Sequence, residues 1–198
     1  MLPANKRRAS MLLNIRQLTI TSIIFGFFLL PVHELGHVIG DWVTGHPAGM
    51  SYARDYLFTN GDKPFLGILG GPLLPLIISA VAVAFIYNQK LISVFYPVAV
   101  IGILDRMVLY ISGVIPSDEG SLAAMVGWNI HSFKYMFLLV EIILLLLIVY
   151  SLYKYKINFI HALLVFFIPV ISFVVGASIG VFIVERYVFP AQFKIQFG

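Results

Sequence analysis

The sequence predicts an all-α membrane protein, a polytopic bundle of about five transmembrane helices with one short membrane-associated β-hairpin at 50–64. Three observations predict it. Of 198 residues, 60% are hydrophobic and 11% charged, where a soluble domain carries about 25% charged residues. Mean hydropathy is +0.97. Five apolar runs are each long enough to cross roughly 30 Å of hydrocarbon at about 20 residues per helix. One integral-membrane domain over 1–198 is the simplest reading, with a core at about 17–130 and additional helices at about 133–189.

The first span is expected from about Gln17 to Val43. Lys6-Arg7-Arg8 precede it, as in a signal peptide. The apolar run from Leu18 to Val43 is too long for one, however, and lacks an early small-residue cleavage site, so a retained helix is expected. The second span is expected from about Phe65 to Tyr87, the third from Leu91 to Val114, the fourth from Phe133 to Tyr153 and the fifth from Ile157 to Phe182. Prolines interrupt four of them, at Pro31, Pro72 with Pro75, Pro97 and Pro169. Each removes a backbone bond, and in lipid the freed carbonyl needs another partner. Glycines four apart at Gly36/Gly40, Gly67/Gly71 and Gly176/Gly180 predict close helix–helix approach. Gly45 to Pro64 is the longest polar connection between spans. Its Asn60-Gly61 pair is a turn signal, preceded by Tyr52, Tyr56 and Phe58 at even positions, which gives the hairpin expectation. An exposed strand edge there could pair with an extended peptide. Pro116-Ser117-Asp118-Glu119 looks like a helix start, with Ser117 as N-cap and acidic residues in the first turn.

Composition removes several classes of function. With no cysteine, disulfides and thiolate metal sites are excluded, and any metal must be held by His, Asp or Glu. The net charge of +4 is small and, apart from the N-terminal trio, scattered, so nothing supports nucleic-acid binding. The expected surroundings are a lipid bilayer, with multi-pass insertion in the cell membrane. Lysines and arginines divide seven against five, favouring an internal N-terminus. That orientation puts the motif described next in the outer half of the membrane.

His33-Glu34-Leu35-Gly36-His37 lies inside the first apolar run. Residues four apart share a helix face, so the two imidazoles can bind one zinc ion while Glu34 serves as general base. Given 5 His and 4 Glu in the chain, random placement yields this pattern about once in 400 such sequences. Ionisable groups at membrane depth also mark function by default.

A catalytic zinc usually takes three protein ligands. Candidates for the third are Asp118, Glu119, Asp105, Glu141, Asp55, Glu185, Asp41 and His46. Asp105 precedes Arg106 and equally suits an intramembrane ion pair. Glu141 suits a buried hydrogen bond between helices. Asp41 is better placed as a helper than as a ligand. His46, His131 and His161 stand near span ends.

Three features together resemble the site-2 protease family of intramembrane zinc metalloproteases. They are the His33–His37 motif in a transmembrane helix, Gly70-Gly71-Pro72-Leu73 opening the next helix, and Pro116-Ser117-Asp118-Glu119-Gly120 before Ser121-Leu122-Ala123-Ala124. The resemblance covers roughly residues 20 to 125. It implies zinc held by His33, His37 and Asp118, catalysis by Glu34, and Gly36, Gly71 and Pro72 as structural neighbours of the site. It also implies a transmembrane or juxtamembrane protein substrate and a site nearer the cytosol, against the charge count. The chain departs from the family at Pro75, where Asn is usual, and at Glu119, which separates Asp118 from Gly120. The competing expectations are a membrane zinc protease whose third ligand is Glu141 or Glu185, an inactive relative that binds transmembrane segments, and a metal or proton transporter using His33, His37, Asp105 and Glu141.

Overall fold

The computed structural model describes residues 14–59, 61–88, 91–113, 116–155 and 159–188. Helix α1 spans Ile15–Val43, and a two-stranded antiparallel ribbon follows, β1 (Ala48–Met50) with β2 (Asp55–Leu57). Next come α2 (Phe65–Tyr87), α3 (Ile92–Ile111), α4 (Ser117–Met125), α5 (Ser132–Lys154) and α6 (Phe159–Ile179), which runs into a π-helical stretch at Gly180–Val188. Five helical segments are long and apolar enough to cross a membrane. The chain is a multi-pass membrane protein, and the expected spans agree with these helices to within a few residues. The basic trio at 6–8 lies outside the described residues.

Burial explains the bundle. On α5, Phe137, Glu141, Leu144 and Ile148 face inward at helical spacing, while Leu139 and Leu146 are 59% and 62% exposed. Such leucines would be a liability in water, but lipid is a good solvent for them. Helix α1 packs chiefly against α2 and α6 and also touches α3, and α5 lies behind α2 and α3. The short α4 sits between α2 and α5.

Small residues set the α1–α2 distance. A Cβ added to Gly36 would meet the Gly70 carbonyl, and one added to Gly70 would meet the Gly36 carbonyl. Gly40 is packed the same way against Leu66. The α1–α6 contact repeats the device, because a Cβ on Gly26 would come within 2.7 Å of the Phe173 Cα. Gly176 is equally close to the Phe27 amide. Gly36/Gly40 and Gly67/Gly71 therefore lie at the expected helix–helix approach, whereas of Gly176/Gly180 only Gly176 does, Gly180 lying against the Tyr52 side chain; Gly26 adds a partner that its spacing did not mark.

The ribbon forms, but its turn is not at Asn60-Gly61. Ala48 pairs with Leu57 and Met50 with Asp55, so the chain reverses through Ser51–Arg54. Asn60 lies outside the described residues, and Gly61 follows β2. Tertiary anchors decide the register. Trp42 Nε1 donates to the Ala48 carbonyl at 2.9 Å, and the Tyr52 hydroxyl donates to the Phe27 carbonyl at 2.5 Å. Phe27 stands four residues before Pro31, so its carbonyl is the one that Pro31 deprives of an amide partner. The N-cap of α4 also differs from expectation. Pro116 takes the extended cap backbone (φ −60°, ψ 151°), so Ser117 is already helical and does not hold the cap position. Asp118 and Glu119 do occupy the first turn.

Candidate metal centre

The second half of α1 turns one face toward α2, α3 and α4. His33 and His37 lie on that face, both buried, with ring centroids 4.8 Å apart and planes at 87°. Their Nε2 atoms converge to 3.2 Å. His37 Nδ1 lies 2.7 Å from the Gly67 carbonyl. A carbonyl can only accept, so Nδ1 carries the proton and Nε2 presents a bare lone pair. Gly71 makes room for that ring, since a Cβ there would overlap it. Pro72 beside it is buried in α2.

Asp118 arrives from α4. Its Oδ2 is 3.2 Å from His33 Nε2 and 3.7 Å from His37 Nε2. Among the described residues, His33, His37 and Asp118 form one of two groups of potential ligands with mutually close donor atoms, the other being Glu34, His37 and Asp55. The first group passes a simple test of fit. Tetrahedral donors about 2.0–2.2 Å from a shared cation stand about 3.3–3.6 Å from one another, and the three separations here bracket that range. Two imidazoles and a carboxylate suit a borderline divalent cation, zinc among them.

Electrostatics favour a charged Asp118. Burial works against its charge, but the positive charge of Arg106 beside Oδ2 prevails and holds the carboxyl below the usual carboxylate range. Arg106, on α3, puts Nη2 2.8 Å from Asp118 Oδ2 and 2.8 Å from His33 Nε2. The sequence neighbour Asp105 is the poorer partner, with Oδ2 3.9 Å from Arg106 Nε. The expected Asp105–Arg106 pair therefore exists only loosely, because one helix step points consecutive side chains apart while α4 delivers a carboxylate head-on.

Glu34 lines a cavity of about 530 Å³ together with His33, His37, Asp118, Arg106 and the β-ribbon residues Arg54 and Asp55. Asp55 also pairs with Lys63 on the cavity rim. Leu30 and Leu109 supply apolar wall.

The other ligand candidates go elsewhere. Glu119 is fully buried, and its Oε1 accepts from the Tyr110 hydroxyl at 2.5 Å. Glu141 is buried on α5 and Asp105 lines the cavity, but neither joins a ligand group. Asp41 is fully buried on the last turn of α1, against Gly67. His46 Nδ1 lies 3.2 Å from the Thr44 hydroxyl, and His131 precedes α5. The side chains of His161 and Glu185 lie outside the described residues. Sequence reasoning missed the roles of Arg106 and Tyr52. The carbonyl freed by Pro31 was the available signal for Tyr52. Compared with protein-family models, with curated proteins and with solved structures, the chain matches none at a significant level.

Proposed function

We propose that the chain is a zinc metalloendopeptidase of the site-2 protease type, lodged in the cell membrane and cutting peptide bonds in or near transmembrane segments of other proteins. One observation carries the reading: three ligand atoms of His33, His37 and Asp118 converge with metal-sized spacing beside Glu34, in a cavity inside a membrane-spanning bundle. His33, His37 and Asp118 would hold the ion. Zinc in such a site makes water a nucleophile at neutral pH and polarises a carbonyl. Glu34 takes the proton of the attacking water and returns it to the leaving amine as the C–N bond breaks. Gly67 fixes the His37 tautomer, as outer-shell partners of metal ligands commonly do.

A helical substrate shields its amide bonds, so the segment must unwind before it is cut. The ribbon at the cavity rim offers backbone groups to an unwound segment. Glu34→Gln tests the chemistry. Cleavage of a helical substrate by the purified protein in detergent should fall by at least about 10²-fold, the usual scale for a lost general base, while bound zinc stays constant. Cleavage at the parental rate would exclude Glu34 from the reaction. A second reading, an inactive relative that binds transmembrane segments, draws support from the Arg106 contact with the ligand atoms. Stoichiometric zinc together with cleavage excludes it.

A further inference from the structure

Arg106 is oddly placed for a structural arginine. Its Nη2 reaches two of the three converging ligand atoms at 2.8 Å, His33 Nε2 and Asp118 Oδ2. It also lies 3.3 Å from His33 Nδ1, so it stands over the face of that imidazole. A guanidinium nitrogen this close to both ligands takes up space beside the cluster and shares the charge of Asp118, and a second cation brought there would be repelled.

The guanidinium has a second berth. Nη1 is 3.5 Å from Glu119 Oε2. That oxygen is buried and has no hydrogen-bond partner among the described residues, and the opposite oxygen of the same carboxylate is fixed by Tyr110. A short shift of Arg106 away from His33 would turn the loose Glu119 contact into a hydrogen bond and clear the positive charge from the ligand cluster.

We propose that Arg106 is a built-in competitor for the metal: its guanidinium neutralises the ligand cluster when no cation is bound, and it must yield His33 and withdraw toward Glu119 before one binds. The inference rests on the metal-site reading above. Its consequence runs opposite to that of a supporting residue. A supporting arginine strengthens metal binding, whereas a competitor weakens it and thereby sets the free-metal concentration at which the site fills. The permanent charge of arginine suits this role, since guanidinium does not deprotonate in proteins.

The test uses the full chain in detergent, stripped of metal, with Zn2+ affinity read by competition against a chromogenic chelator. Arg106→Gln should bind Zn2+ about tenfold or more tightly than the parent, and Arg106→Lys, which keeps the charge without the fork, should fall between them. The metal-free Arg106→Gln protein should melt at a lower temperature, and zinc should raise that temperature by more than it does in the parent. If Arg106→Gln fails to fold, Arg106→Gln with Glu119→Gln removes the carboxylate left unpaired and should show the same gain in affinity. Equal or weaker zinc binding by the folded variant overturns the competitor role and leaves the metal centre standing. Zinc binding by neither parent nor variant overturns both. Binding by the variant alone supports competition and counts against the zinc enzyme.

Discussion

The two halves of the candidate centre are held by different physics. On the α1–α2 side, His33 and His37 ride on a helix whose backbone touches its neighbour through Gly36, Gly40, Gly67 and Gly70. Packing and one carbonyl bond fix the rings there. On the α3–α4 side, Asp118 is held by charge, through Arg106, with Glu119 and Asp105 beside the guanidinium and Tyr110 on Glu119. A steric scaffold is stiff and fails all at once when overfilled. An electrostatic cluster can exchange one cation for another with little change in shape. The division suits a site that must keep its histidines aligned while its carboxylate changes partners.

The largest effect should come from overfilling the steric half. Gly71→Val would drive its side chain into the His37 ring and force α2 off α1. We expect a loss of several kcal/mol, at the upper end for core substitutions (about 3 kcal/mol or more), seen as a collapse of thermal stability in detergent together with loss of bound zinc. A stable Gly71→Val protein with parental zinc content would show that the seam is softer than its spacing implies.

Asp118→Asn should do the reverse. The fold should persist, because Arg106 can turn to Glu119, but zinc affinity should drop by at least about tenfold. Metal content by elemental analysis after dialysis reads the result. Unchanged zinc with unchanged stability would remove Asp118 from the centre and return the third-ligand role to Asp105 or Glu119.

Much of the steric half was legible in the sequence, and little of the electrostatic half was. His33 and His37 are four residues apart on one helix, so local periodicity alone puts them on one face. Gly36/Gly40 and Gly67/Gly71 announce close packing by spacing, although spacing does not say which helix lies opposite. Asp118 is 81 residues beyond His37 in the chain. Only the fold brings it there, and residue types left eight candidates open until a family resemblance favoured one. Arg106 was read against its neighbour Asp105 because adjacency is visible in a sequence and a carboxylate from another helix is not. The turn at Ser51–Arg54 escaped for a similar reason, since Asn60-Gly61 has the better local signal but Trp42 and Tyr52 fix the register from outside the ribbon.

The smallest expected effect probes the boundary between the two halves. Tyr52 joins the ribbon at the cavity rim to α1 through the carbonyl that Pro31 leaves without an amide, and its ring packs 5.3 Å from Phe27. Tyr52→Phe keeps the ring and deletes the donor. The Phe27 carbonyl then lacks its only replacement partner among the described residues, in a setting with little water to substitute. A buried group left unsatisfied costs about 1–3 kcal/mol, and relaxation of the kinked turn should bring the loss toward the lower figure. We therefore expect a modest fall in melting temperature and faster amide exchange across Ala48–Leu57, with zinc affinity unchanged. The unchanged affinity is the informative result. The bond lies on the steric side, ten residues before His37, and carries no net charge, so it should loosen the rim without altering the ligand cluster. If Tyr52→Phe weakened zinc binding as much as Asp118→Asn, the halves would be mechanically coupled through the Pro31 kink, and the separation of packing from charge would have to be abandoned.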